Sequence, residues 1–197
     1  MRLTLAWAGP IGAGTFPATR EGLEALMRPG VYLRTRLYAG QRRVSYVGQS
    51  RNLLARFDQH LTALLGLTVP LRDARGRIVF QGAAYERFAA LERIEEIAAL
   101  TAAEARRTRF FYAPLAEDTD GAVLNAVEGC LLLRVQALAA AAAGLIEAAN
   151  RVRPPAGDAD LMLEIASDAT ALAAADRDLV ETLVGTALLV VGDAALA

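Results

Sequence analysis

Five side chains of this sequence have types and spacings suited to proton transfer on an anionic substrate. Arg56 follows Tyr46 by ten residues and His60 follows Arg56 by four, with Tyr32 upstream. A phenol or an imidazole can take or give a proton, and a guanidinium fork can contact two oxygens of one anion at once. Glu128 stands apart from these, among Leu124, Val127, Leu131 and Leu132, in the pattern of a helix that faces a core. A carboxylate is rarely buried there without a partner or a metal. Each residue also has an ordinary role open to it: a cross-strand aromatic pair for the tyrosines, the wet face of a helix for Arg56 and His60.

The elements that must position these side chains follow from the local patterns. RLTLAWAGPI predicts a strand and Gly12 to Pro17 a loop; Thr19 then precedes REGLEALMR, whose Leu23, Leu26 and Met27 share a helical face. The glycine-rich GPIGAGT lacks the lysine of a phosphate loop. VYLRTRLY and RRVSYVG alternate in polarity on either side of Ala39-Gly40-Gln41, which predicts a β-hairpin carrying Tyr32 and Tyr46. Ser50 is expected to cap the helix RNLLARFDQHLTALLGL, with an apolar stripe of Leu53, Leu54, Phe57, Leu61, Leu64 and Leu65. Asn52, Arg56 and His60 line up four apart on a neighbouring face.

Further on, Pro70 and Asp73 to Gly76 mark turns around a short strand, Arg77 to Gln81. AAYERFAALERIEEIAALTAAEARR is helical in composition, with Thr101 expected to start a second helix by capping Glu104. RFFYAPL reads as a buried strand. Asp118 to Gly121 precede a long helix that contains Glu128 and is expected to break near Gly144. After Pro154 and Pro155 the tail is expected to be helical, with Leu161, Ile165, Leu172, Leu179, Leu183 and Val184 as its apolar positions.

Composition narrows the chemistry. The chain has 197 residues, 54% of them apolar, enough to fill a core. It has no lysine, so all 21 positive charges are arginines. Residues 1 to 153 hold 20 Arg against 14 acids, whereas residues 154 to 197 hold 1 Arg against 8 acids, so a polyanion would prefer the first part. One cysteine, Cys130, and one histidine, His60, exclude zinc held by Cys and His clusters within one chain. Any metal is then expected to be hard and oxygen-bound. A lone cysteine suits a reducing compartment, the N-terminus makes a poor signal peptide, and the apolar stretch from Leu183 to Val191 is too short to span a bilayer. A cytoplasmic protein without a membrane partner is the expectation.

Gly30-Val31-Tyr32 within PGVYL, then Tyr46-Val47-Gly48, then Arg56 and His60 at their spacings, resemble the GIY-YIG nuclease family. The resemblance is close over roughly residues 28 to 61 and looser as far as Asn150. It implies an α/β fold: a small three-stranded antiparallel sheet flanked by helices, here with an inserted helical segment and a helical C-terminal extension. In those terms residues 1–28 are an N-terminal extension, 29–153 the nuclease domain with its insertion at 66–108, and 154–197 an acidic tail. The hairpin is a few residues longer than in the shortest members, and the insertion exceeds the compact family connection.

The resemblance further implies cleavage of DNA phosphodiester bonds with one divalent cation, Mg²⁺ or Mn²⁺. Glu128, after RFFYAPL, matches the family's metal-binding glutamate in context, while Glu104 precedes that strand. Tyr32 or Tyr46 would assist water activation, Arg56 would contact the phosphate, and His60 would share in these contacts. Gly48, Ser50, Asn52, Arg72, Arg75 and Asn150 are the expected substrate-binding residues, with Asn125 a rival to Asn150. Double-stranded DNA is the expected partner, and a homodimer would allow both strands to be cut. The alternative is a nucleic-acid-binding module that keeps the fold without cutting.

Overall fold

The computed structural model describes residues 2–12, 14–17, 19–141, 163–185 and 190–191. In chain order the elements are β1 (Arg2–Ala6), β2 (Ala8–Ile11), α1 (Arg20–Met27), β3 (Gly30–Tyr38), β4 (Gln41–Ser50), α2 (Leu53–Leu65), β5 (Leu71–Arg72), β6 (Ile78–Phe80) and α3 (Ala84–Ala89). A 3₁₀ turn (Ala90–Arg93), α4 (Ile94–Arg107), β7 (Thr108–Pro114), α5 (Gly121–Ala141), β8 (Leu163–Asp168), α6 (Ala174–Val184) and β9 (Val190–Val191) complete them. The architecture is mixed α/β with largely antiparallel sheets.

The central sheet has the order β2-β7-β3-β4, every pair antiparallel, so it holds four strands where three were expected. The added strand is the second half of RLTLAWAGPI. That stretch is not one strand: β1 pairs with β8 in another sheet, β2 pairs with β7, and Trp7 sits buried at the joint. The Trp7 indole N–H donates to Ser167 Oγ at 2.7 Å, which ties this joint to the C-terminal part of the chain.

Alternation along β3 separates two of the three hydrophobic cores among the described residues. Val31 and Leu33 point into one core with Val47, Phe111, Leu124, Val127, Leu131, Val180 and Leu183, beneath α5 and α6. Tyr32 points to the opposite face, where Leu26, Leu53, Phe57 and Tyr112 cover it from α1, α2 and β7. A β-bulge in the hairpin keeps both faces in use. Arg34 pairs with Tyr46 and Thr35 with Val44, leaving Ser45 as the extra residue. Tyr46 therefore stays on the Tyr32 face although Val44, two residues earlier, packs into the other core.

Several local expectations change. Asn52, not Ser50, caps α2: its side chain accepts from the Ala55 N–H at 2.9 Å, while Ser50 ends β4 and its hydroxyl donates to the Asn52 carbonyl at 2.7 Å. Thr101 starts no helix; it is buried inside α4 with its hydroxyl on the Ile97 carbonyl, and the break falls at Ala90–Arg93 instead. The C-terminal stretch is not purely helical, because Ile165 lies in β8. Short range favoured a helix there, but strand pairing with β1 and burial against the first core decide the outcome. The expected break near Gly144, Leu161 and Asn150 lie outside the described residues.

Among the described residues α5 is long and apolar enough to cross a membrane by length and composition. Its Leu124, Val127, Leu131 and Val135 are buried in the first core, as in the core helix of a globular protein.

Candidate active site

The face of the sheet under α2 brings Tyr32, Arg34, Tyr46, Arg56 and His60 together. Tyr32 and Arg34 come from alternate positions of β3, and Tyr46 comes from β4 opposite Arg34. Arg56 and His60 come from consecutive turns of α2, which the Asn52 cap and Leu53 and Phe57 anchor on the sheet. Phe57 meets the Tyr32 ring edge-on at 5.5 Å, and the Tyr32 and Tyr46 rings stack at 5.9 Å.

The polar contacts converge on the Tyr32 oxygen. Arg56 Nε donates to it at 3.1 Å, and His60 Nε2 lies 2.7 Å away. Arg56 Nη2 also donates to the Tyr46 hydroxyl at 3.4 Å, and its Nη1 to Gln59. Arg34 Nη1 stands 3.3 Å from the other imidazole nitrogen of His60, while its Nε donates to Ser45 Oγ at 3.0 Å. A guanidinium can only donate, so His60 Nδ1 must be the acceptor and the ring proton of a neutral His60 belongs on Nε2. Under that assignment two N–H groups point at the Tyr32 oxygen.

The charge states agree with this arrangement. Burial, followed by the positive charges of Arg34, Arg56 and Arg36, pushes His60 down to about 4, so it is neutral at pH 7. Burial also holds the Tyr32 phenol well above its usual value, against the pull of the Arg56 hydrogen bond and charge. The environment thus resists a phenolate but supplies two donors to any that forms.

Glu128 comes from the other side of the sheet, on α5, and is half-buried beside edge strand β4. Burial raises its proton affinity, with the Arg56 charge and the Gln49 backbone pulling the other way. Gln49 Nε2 donates to Asn125 Oδ1 at 3.2 Å, one turn before Glu128. No group of three or more His, Cys, Asp or Glu converges among the described residues. Glu128 supplies one hard oxygen donor of the kind Mg²⁺ takes, an ion that keeps several waters and takes other oxygens from a substrate phosphate, while the Asn125 oxygen is engaged by Gln49. Glu104 is occupied elsewhere: it is fully buried, 2.7 Å from Arg36 Nε, and accepts from the Tyr38 hydroxyl at 3.0 and 3.2 Å.

The remaining expected residues are dispersed. Gly48 faces Tyr32 across the hairpin. Ser50 and Asn52 build the turn into α2. Arg72 Nη1 donates to the Gly76 carbonyl at 2.8 Å and so braces the β5–β6 turn, whose exposed tip carries Arg75. Arg34 and Gln49 were missed by the motif spacing. Arg34 carried a usable signal, since a residue two after Tyr32 on a strand shares its face.

No family model, curated protein or solved structure matches the chain.

Proposed function

We propose that this protein is a divalent-metal-dependent endonuclease of the GIY-YIG kind that hydrolyses DNA phosphodiester bonds. One observation carries the reading: the buried Tyr32 oxygen receives Arg56 Nε at 3.1 Å and lies 2.7 Å from His60 Nε2, while the same guanidinium reaches Tyr46. A buried phenol served by a cation and a neutral imidazole is an expensive arrangement for stability alone, because it brings several polar groups out of water.

Tyr32 in its phenolate form takes a proton from the attacking water, and the two N–H donors stabilise the anion before that transfer. The resulting hydroxide attacks phosphorus, and the bond from phosphorus to the leaving oxygen breaks. Arg56 sits where it can spread onto the phosphate oxygens as their charge builds. Tyr46 and Arg34 hold Arg56 and His60 in place, Arg34 lying 5.4 Å over the Tyr46 ring. Glu128 would hold one Mg²⁺ or Mn²⁺, whose charge offsets that on the departing alkoxide.

The test is incubation with labelled duplex, flap and junction DNAs, with Mg²⁺, with Mn²⁺ and with chelator. Metal-dependent scission of at least one substrate is expected, lost in Arg56→Ala while binding persists. DNA binding without scission under any of these conditions leaves the non-cleaving module as the correct reading.

A further inference from the structure

A cavity of about 360 Å³ opens beside the tyrosine cluster, with His60 and Arg34 in its lining. Its apolar walls include Phe16, Leu54, Phe57, Leu61 and Phe110. Three of those walls are aromatic. Phe57 and Phe110 lie 4.7 Å apart, and Phe110 is 5.5 Å from the His60 ring at a shallow angle of 35°. Phe16 and Leu61, 52% and 49% exposed, form the rim, and the Asp58 carboxylate lines the same opening.

We infer that this cavity receives one unstacked nucleobase of the strand whose phosphate lies on Arg56. The inference rests on the phosphodiester reading of the adjacent site and names what else that site binds. His60 and Arg34 belong to both places: each contacts the tyrosine cluster and each lines the cavity. A nucleotide with its phosphate at Arg56 would therefore direct its base past these shared side chains toward the aromatic walls. The volume suits a small flat ligand, and every base has a π-face that stacks on such rings.

The cavity's aromatic walls select among apolar occupants. Arg34 is engaged with Ser45 and His60, and Arg36 is paired with Glu104, while Asp58 also lines the cavity. A flat heteroaromatic ring stacks on Phe57, Phe110 and the His60 ring, a contact that a hydrocarbon chain does not reproduce. The unstacking cost falls where the strand is already single, mismatched or branched, so the same cavity would bias the enzyme toward such DNA.

The experiment is calorimetric titration of the full chain with deoxyadenosine 5′-phosphate, 2-deoxyribose 5-phosphate and hexyl phosphate, alongside a separate DNA cleavage assay. The nucleotide is expected to bind about tenfold or more tightly than either other probe. Leu61→Trp, at an exposed helix position on the rim, and Phe16→Ala, in an exposed loop, should each erase that preference without changing affinity for the sugar phosphate. Equal affinity for nucleotide and sugar phosphate, equal binding of hexyl phosphate, or a preference unaffected by both variants overturns the base site, even if DNA is cleaved. A base preference sensitive to both variants, in a protein that cuts no DNA, supports the base site and overturns the nuclease reading instead.

Discussion

Gly48 stands opposite Tyr32 in the β3–β4 register, and a methyl group at that position would come within 2.6 Å of the Tyr32 phenol and of the Tyr46 ring. Tyr32 is fully buried beneath Phe57 and cannot swing aside. Gly48→Ala is therefore expected to displace the phenol from Arg56 and His60. Cleavage should fall roughly 10²-fold, as for about 1 Å of misplacement, with a stability loss of about 1–3 kcal/mol. Cleavage rate and melting temperature measured on one preparation check this; wild-type cleavage would mean that the ring positions do not matter to the chemistry.

That glycine also illustrates what the sequence could disclose. Its place in Tyr46-Val47-Gly48 marked it, and the alternating hairpin already put Tyr32 and Tyr46 on strands. The Arg56 and His60 spacing placed both on one helix face, and α2 delivers them together. Their convergence with Arg34 was only partly legible, because it depends on the bulge at Ser45 that resets the face of Tyr46. The division of RLTLAWAGPI between two sheets was illegible locally. It depends on β8, more than 150 residues away, and no short-range pattern encodes that pairing.

Glu128→Gln should separate activity from folding. The half-buried carboxylate is strained toward its protonated form, so the neutral amide is tolerated at least as well by the surrounding helix face. Scission with Mg²⁺ is expected to drop by about 10²-fold or more, while the melting temperature in chelator holds or rises. Wild-type cleavage by this variant would remove Glu128 from the metal assignment.

The pH dependence of cleavage follows from the Tyr32 phenol, which burial holds above its usual value. The reactive phenolate is then a minor species across the neutral range, and its fraction grows as pH rises. The cleavage rate at saturating metal should climb roughly tenfold per pH unit between about pH 6 and 8. Tyr32→Phe should abolish that slope along with most of the rate. If Tyr46→Phe abolishes the slope instead, with Tyr32→Phe retaining it, the two phenols exchange roles.

His60 gives a stability signature of opposite chemical origin. Its folded pKa is depressed to about 4 from an unfolded value near 6.5, so the fold favours the neutral ring. The unfolded chain binds the proton first as pH falls; stability is complete above about pH 6.5 and declines toward pH 4. The ring is only partly buried, so the loss attributable to His60 is discounted to about 1–2 kcal/mol. His60→Gln should flatten that segment of the stability curve, measured by chemical denaturation at several pH values. An unchanged curve would show that His60 is readily protonated in the folded protein.

The C-terminal stretch yields the last prediction, and Trp7 reports it. An acidic tail that merely shielded the arginine-rich face could be removed with a gain in DNA affinity and no cost to the fold. The contacts argue for a different result. β8 hydrogen-bonds in parallel with β1 along Arg2 to Ala6, Ser167 accepts from the Trp7 indole, and Ile165, Leu172, Val180 and Leu183 belong to the same core as Val31 and Leu33. Removing everything after Arg153 would expose the edge of β1 and leave the α5 side of that core open to water, at about 1.5–3 kcal/mol for each large aliphatic side chain lost. Truncation should therefore lower the melting point steeply and shift the emission of Trp7, the chain's single tryptophan, to longer wavelength. A truncated chain with native melting behaviour and unshifted emission would show instead that the tail is dispensable to the core.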